Sequence, residues 1–315
     1  MNSTAKGYIC GIIAASCYGL SPFYGVSLMN LGMNAASALF NRFALAAIIL
    51  LILMILQKKP LNISLKEFKV TAILGFLFAA STLTYFIAFH YMSAGIAATI
   101  LFIYPVMVAV IMAIFFKEKI TLLTILSITL SFAGIAMLYF GDNSGQVNTA
   151  GVILVLISAL TYALYIIVIN RSGIVMSAEK MTFYVLLSCL ATIFIYTLFD
   201  SGSSLMPPQS FPMWGYCLML ALIPTIISLN LMTIAVESVG STPTAVMGAL
   251  EPLTAVIIGC LVMHESMTLH LFIGIVLILI SVGLIIVGKT FKKHSIKIIV
   301  DEVEKEIIRH WRWKL

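Results

Sequence analysis

Two ionisable residues stand where a charge is expensive. Arg42 lies about seven residues into the apolar run 34 to 56, hence about 10 Å deep at 1.5 Å rise per residue. Glu251 lies near the middle of the run 241 to 263, directly before Pro252. At the centre of a lipid-embedded helix such a charge costs about 2.5–3.5 kcal/mol on insertion scales, so each needs a reason to be there. For Arg42 two readings stand: an anchor for an anion or carboxylate in a cavity, or a structural or snorkelling residue that reaches the headgroups. For Glu251 the choice is between a carboxyl that takes up and gives off a proton and a fixed partner of Arg42 or of a neighbouring helix. Mid-run Tyr18, Tyr162, Tyr85 and Tyr104, with Asn230 and Thr84, supply hydroxyls and an amide suited to touching a solute or to joining helices. Pro105, Pro224 and Pro252 also fall inside apolar runs, where each removes a backbone donor and frees the carbonyl four residues earlier, on Leu101, Leu220 and Gly248. Such freed groups mark a path, a hinge or a packed kink.

What must position these residues follows from composition. Of 315 residues 62% are apolar and 10% charged, against about 45–50% and about 25% in soluble domains. Mean hydropathy is +1.12. Twelve acids and eighteen bases are too few for the surface a soluble chain would show, so the solvent is lipid. Apolar runs at roughly 7 to 29, 34 to 56, 69 to 91, 94 to 116, 120 to 140, 150 to 170, 180 to 199, 213 to 236, 241 to 263 and 267 to 288 each reach the length of a span. Runs such as Ala44 to Leu56 do not alternate polar with apolar, which excludes a barrel and leaves an all-α integral membrane protein of ten transmembrane helices.

Bases set the orientation, because cytoplasmic loops retain Lys and Arg. Lys6, then Lys58, Lys59, Lys66 and Lys69, then Lys117 and Lys119, then Arg171 and Lys180, then the C-terminal tail all fall on one side of a ten-span chain, and the loops of the other side carry none. Both termini are therefore expected in the cytoplasm, in a multi-pass protein of the inner cell membrane. Lys6 followed by an apolar run also fits a secretory signal, but the first run has an internal twin, which argues against its removal.

That twin belongs to a repeat. At an offset of 144, Gly7, Ile9, Ile13, Ala15, Tyr18 and Leu20 match Gly151, Ile153, Ile157, Ala159, Tyr162 and Leu164. At an offset of 147, Ala88, Ala98, Pro105, Ile111, Glu118 and Thr121 match Ala235, Ala245, Pro252, Ile258, Glu265 and Thr268. Proline and glutamate are scarce here, so their coincidence carries weight. Five spans per copy is an odd number, so the second copy enters the membrane inverted, the plan of secondary transporters. The expected organisation is residues 1–6 as a cytoplasmic N-terminus, 7–140 and 150–288 as two five-helix repeats, 141–149 as an external linker and 289–315 as a cytoplasmic tail.

With Asn41-Arg42-Phe43 early in the second span, SAGIAATILFIYPVMVAVIMAIFFKEKIT from Ser93, its partner GSTPTAVMGALEPLTAVIIGCLVMHESMT from Gly240 and the Gly-containing tenth span, the chain over residues 7 to 288 resembles the drug/metabolite transporter superfamily, EamA type. The resemblance implies ten helices in two halves and a small-molecule substrate, a metabolite or drug-like solute, without naming it. One departure is Lys117-Glu118-Lys119 and His264-Glu265-Ser266, where a Gly-Glu-Arg-like turn is expected; these flanks bear on loop ends rather than on transport.

The remaining motifs add little chemistry. Cys10, Cys17, Cys189, Cys217 and Cys260 lack the spacing of a disulfide framework or metal site, and no cofactor is implied. Gly283 to Thr290 literally fits the phosphate-loop pattern, but Leu284 to Val287 continue a span, so the match is accidental. His90 and His264 fall at helix ends, Tyr8, Tyr139 and Tyr196 read as interfacial belt residues, and the small residues from Ser93 to Ala98 and Gly240 to Ala249 read as packing surfaces. Beyond Gly288 a basic collar leads into an amphipathic segment ending in Trp311 and Trp313, suited to anionic headgroups or to self-association. The bases lie between apolar runs rather than on one exposed face, so nucleic acid is not a partner. The leading expectation is a secondary carrier, an exporter that does not hydrolyse ATP and works by alternating access around a midplane cavity. Its rivals are a membrane-embedded sensor or scaffold and, with weaker support, a lipid-modifying membrane enzyme.

Overall fold

The structure, a computed structural model, describes residues 3–117, 122–140, 148–174, 176–199, 204–239, 247–265 and 267–284. Residues 141–147 of the expected external linker 141–149, Glu118, the small residues Gly240 to Ala245 and the tail from 289 onward lie outside the described residues. Among the described residues the fold is all-helical. Seven helices are long and apolar enough to cross a membrane: Ala5–Asn30, Ala35–Leu56, Leu65–Ala88, Ala94–Phe116, Thr149–Ile169, Ala178–Phe199 and Phe211–Met232. The shorter apolar helices Ile125–Met137, Leu250–Val262 and Leu269–Leu284 occupy the fifth, ninth and tenth places in chain order.

Polar residues between the runs start the helices. Asn34 Oδ1 accepts from the Ser37 amide at 2.7 Å, and Asn148 Oδ1 accepts from the Ala150 amide at 3.0 Å. Ser64 and Glu67 form a reciprocal capping box, each side chain accepting from the other's amide. Large apolar side chains such as Leu56, Phe76, Phe132 and Phe199 face outward, as a lipid solvent requires, whereas alanine and serine fill much of the interior. With lipid as apolar as leucine, small residues and hydroxyls supply the adhesion between helices.

The inverted repeat is visible in hydrogen bonds. Ser81 Oγ of the third span donates to the Ser158 carbonyl of the sixth at 2.9 Å, and Ser228 Oγ of the eighth donates to the Ala14 carbonyl of the first at 2.9 Å. Ser81 and Ser228 differ by 147, Ala14 and Ser158 by 144, so the two bonds are one interaction repeated. The third span packs most extensively on the sixth and the first on the eighth, a pair of interfaces that the repeat exchanges. The fifth and tenth spans close on each other through Ser127 and Ser281, whose hydroxyls donate to each other's carbonyls at 2.9 and 2.7 Å, and through Gly134, where a Cβ would stand 3.0 Å from the Gly274 carbonyl oxygen.

Among the described residues the contacts of the loop bases fall on one face. There Lys59 pairs with Glu179 at 2.7 Å, Lys180 with Glu67 at 3.7 Å, the Tyr184 hydroxyl donates to the Leu61 carbonyl, and the Arg171 guanidinium lies 4.4 Å from the Phe116 ring centroid. On the opposite face Asn34 Nδ2 donates to the Ser204 carbonyl at 2.9 Å, and Asn41 Nδ2 to the Met206 carbonyl at 3.1 Å. Also on that face, the Asn148 amide donates to the Tyr91 carbonyl at 3.1 Å.

Candidate functional site

Three of the proline positions interrupt their helices, each differently. Tyr104–Phe116 restarts after a turn at Phe102 and Ile103, with Pro105 in its first turn. Leu250–Val262 starts two residues before Pro252, and the Gly248 carbonyl freed by that proline accepts from the Glu251 amide at 3.0 Å. At Pro224 the chain widens into a π-helical stretch, Leu222–Ile227. A fourth interruption was not foreseen in the sequence: the first span breaks at Leu20, and Ser21-Pro22 opens its second segment, Ser21–Asn30.

Arg42 is held by two of these breaks. Its side chain is 1% exposed; Nε donates to Thr225 Oγ1 at 2.9 Å and Nη1 to Ser21 Oγ at 3.1 Å. Thr225 can accept because its own proton is committed elsewhere: its hydroxyl donates at 3.1 Å to the Leu220 carbonyl, the group that Pro224 leaves without its helical donor. The π-stretch thus repairs its own backbone and presents an oxygen lone pair to the guanidinium. No carboxylate lies within 4.0 Å of Arg42 among the described residues; Glu251 is not its ion-pair partner. Among the described residues two of five guanidinium N–H groups are engaged by hydroxyls, the Phe43 ring centroid lies 5.8 Å away, and no acid neutralises the charge.

Two cavities meet at Arg42 and Tyr18, which border both. The larger, about 770 Å³, runs from Arg42 past Leu50 and Pro224 to Asn230, Ile234 and the exposed Ala178 at the lysine-bearing end of the seventh span. Eight residues of helix separate Arg42 from Leu50, so this cavity is at least about 12 Å deep. Its aromatic wall is a cluster: Tyr162 and Tyr165 stack with ring centroids 5.8 Å apart and planes 9° apart, and Phe78 stands 5.4 Å from Tyr165. Toward the opposite face lies a pocket of about 30 Å³, bordered by Tyr85, Tyr104, Glu251 and Pro252.

The structure therefore gathers Arg42, Tyr18, Tyr162, Asn230 and Pro224 around the larger cavity, and Tyr85, Tyr104, Glu251 and Pro252 around the smaller. Pro105 borders neither. Thr84 is not part of the site, because its hydroxyl is spent on its own helix, donating to the Ala80 and Ser81 carbonyls at 2.9 and 3.1 Å. Asn230 likewise donates from Nδ2 to the Ile226 carbonyl at 2.9 Å, which leaves its oxygen without a donor among the described residues. Ser21, Thr225, Phe78 and Tyr165 were not singled out from the sequence. The first two had a signal, a hydroxyl beside an in-span proline; Tyr165 had one as well, since it follows Tyr162 by one helical turn.

About one helical turn along the chain from Ala98 and Ala255 of the smaller pocket, a clasp joins the fourth and ninth spans. The Glu265 carboxylate accepts from the Ala94 amide at 2.8 Å and the Gly95 amide at 3.3 Å, the first donors of the Ala94–Leu101 helix. Its slot needs the two glycines around it: a Cβ on Gly259 would stand 2.4 Å from Oε2, and one on Gly95 3.0 Å. The turn that delivers Glu265 places His264 at φ +57°, and its repeat twin Lys117 sits at φ +54°. The small residues Ala94 and Gly95 thus do more than pack: their amides hold the clasp.

Comparison with known proteins matches the description "EamA-like transporter family" twice, over residues 5–140 and 149–287. An uncharacterized transporter of Bacillus subtilis (strain 168), YcbK, is 21% identical over 87% of this chain and 90% of its own length. An uncharacterized transporter of Archaeoglobus fulgidus is 26% identical over 67% of this chain and 73% of its own. One solved crystal structure shares the fold with a TM-score of 0.61 at 15% identity, covering 90% of this chain and 95% of that one. Two tandem matches that span nearly all the helices, joined to a membrane-spanning fold built from an inverted repeat, make this chain a membrane transport protein: it belongs to the EamA-like transporter family.

Proposed function

We propose that this chain is a secondary carrier of a small metabolite or drug-like solute, an exporter of the inner cell membrane with both termini in the cytoplasm, working by alternating access and without ATP hydrolysis. The observation that carries the reading is a one-sidedness among the described residues: a cavity of about 770 Å³ reaches from Arg42 to the lysine-bearing face, while the pocket on the other side of Tyr18 and Arg42 has about 30 Å³. With lysines cytoplasmic, this is a carrier open to the cytoplasm, the state in which an exporter loads. The pseudo-symmetric halves supply the second state, in which the interfaces exchanged by the repeat trade roles. Glu251, in the smaller pocket, is the carboxyl that takes up and gives off the coupling proton.

Two experiments test the reading. Comparing internal and external metabolites in cells with and without the chain identifies a cargo by its altered gradient; a carrier that changes no gradient under any growth condition is not an exporter. Reporter fusions after Lys66 and after Lys297 are expected to act as cytoplasmic and one after Ser203 as external. A cytoplasmic signal from the Ser203 fusion overturns the orientation.

A further inference from the structure

We propose that the larger cavity takes an amphipathic organic monoanion, its carboxylate on Arg42 and its aromatic or branched apolar body between Phe78, Tyr162 and Tyr165; this rests on the reading of that cavity as the transport site. The argument begins with charge. Arg42 is the single cation at the deep end of the cavity among the described residues, and its guanidinium is pre-oriented by neutral hydroxyls of Thr225 and Ser21 rather than neutralised by an acid. A buried, unpaired charge is costly, and its attraction for a counter-ion is strengthened by the same low dielectric. Three N–H groups remain for that counter-ion, and a planar fork suits a carboxylate.

The rest of the cavity decides against other classes. The one acid on its wall, Glu179, is at the mouth and already bound by Lys59 at 2.7 Å. A cation would therefore find a repelling Arg42 at depth and no free carboxylate. A zwitterion carrying its ammonium beside its carboxylate would need an acid facing the larger cavity next to Arg42, and Glu251, which shares the smaller pocket with Arg42, does not border the larger one. The stacked Tyr162 and Tyr165 rings with Phe78 offer a flat apolar wall to whatever body the anion carries. A volume of about 770 Å³ lies inside the range of about 300–1,000 Å³ usual for small-molecule sites.

The test uses four probes that share a phenyl body and differ in the head: 3-phenylpropionate, 3-phenylpropanamide, phenylalanine and 2-phenylethylamine. Binding of each to the purified full chain in detergent is measured by titration calorimetry. The acid is expected to bind about ten- to a hundredfold more tightly than the neutral amide, the range of a buried charge-assisted bond, and more tightly than the zwitterion or the amine. Arg42→Gln is expected to erase the acid's advantage and Arg42→Lys to keep part of it. The comparison among probes on the unaltered protein stands even if neither variant folds. Equal binding of acid and amide, no binding of the acid, or a preference for phenylalanine or phenylethylamine overturns the assignment. Counterflow in proteoliposomes, corrected for leak through protein-free liposomes, separates the two levels: an acid that binds but is not moved upholds the class and sinks the carrier, whereas a zwitterion that binds best and is moved does the reverse.

Discussion

Arg42 Nε donates to Thr225 Oγ1 at 2.9 Å across 183 positions of sequence, and the same hydroxyl donates onward to the Leu220 carbonyl at 3.1 Å. One side chain thus closes two defects, a broken backbone bond at Pro224 and a buried guanidinium. Thr225→Val keeps the shape and removes both services. It is expected to destabilise the purified protein by about 1–3 kcal/mol and to reduce transport, with Thr225→Ser restoring most of both. Thermal unfolding in detergent and counterflow in proteoliposomes check this. A Thr225→Val protein of unchanged stability and activity means that Arg42 is held by Ser21 alone.

The Glu265 clasp predicts a change in access rather than in folding. Glu265→Ala and Gly259→Ala both remove the carboxylate from the Ala94 and Gly95 amides, the first by deletion and the second by filling its slot. Either change is expected to speed modification of Ala98→Cys, in the wall of the smaller pocket, by an impermeant thiol reagent added at the clasp face. The parent for this experiment lacks Cys17 and Cys260, the native cysteines that are not fully buried. Labelling as slow as in the parent leaves the carboxylate as a helix cap with no part in closure.

Lys117 and His264 hold left-handed backbone at twin positions where the EamA resemblance leads one to expect glycine. That conformation costs a residue with a Cβ about 1–2 kcal/mol, against about 0.5–1 kcal/mol that glycine forfeits in the unfolded chain. Lys117→Gly is accordingly expected to stabilise the protein by up to about 1 kcal/mol, while Lys66→Gly, inside the Leu65–Ala88 helix, should destabilise it. Melting temperatures of the two variants decide the matter. Destabilisation by Lys117→Gly would show that the lysine side chain contributes more than its backbone costs.

How much of this was readable beforehand depends on which dimension a feature occupies. Depth was readable: lipid demands unbroken apolar runs, so the spans, Arg42 and Glu251 could be placed along the membrane normal. Azimuth was not. A helix such as Thr149–Arg171 is apolar all round, so although the one-turn spacing puts Tyr165 on the same side as Tyr162, nothing in its pattern tells that this side faces the cavity. The break at Leu20 was missed because Ser21-Pro22 lies near the end of a run that reads as continuous. The partners of Arg42 come from positions 21 and 225, and no local spacing links them to it. Glu265 was visible as a repeat twin of Glu118, but its grip on Ala94 and Gly95 depends on two helices meeting at a pair of glycines.

The proposed energy coupling turns on Glu251, which shares its small pocket with Tyr18, Tyr85, Tyr104 and Arg42 and pairs with no base among the described residues. A carboxyl so placed can cross as a neutral acid and release its proton on the alkaline side. In antiport, protons run from the acidic to the alkaline compartment and the solute runs against them, so proteoliposomes given an acidic lumen should accumulate labelled solute inside. For a carboxylic acid this sign is diagnostic, because passive leak of the neutral form gathers the acid in the alkaline compartment instead. Glu251→Gln cannot take up the proton and is expected to lose accumulation while retaining exchange of solute at equal concentrations and equal pH. The decisive measurement follows both activities in the same preparation: a Glu251→Gln carrier that accumulates solute as far as the parent removes this residue from coupling, and a carrier that loses exchange as well as accumulation shows that Glu251 serves the path itself rather than its drive.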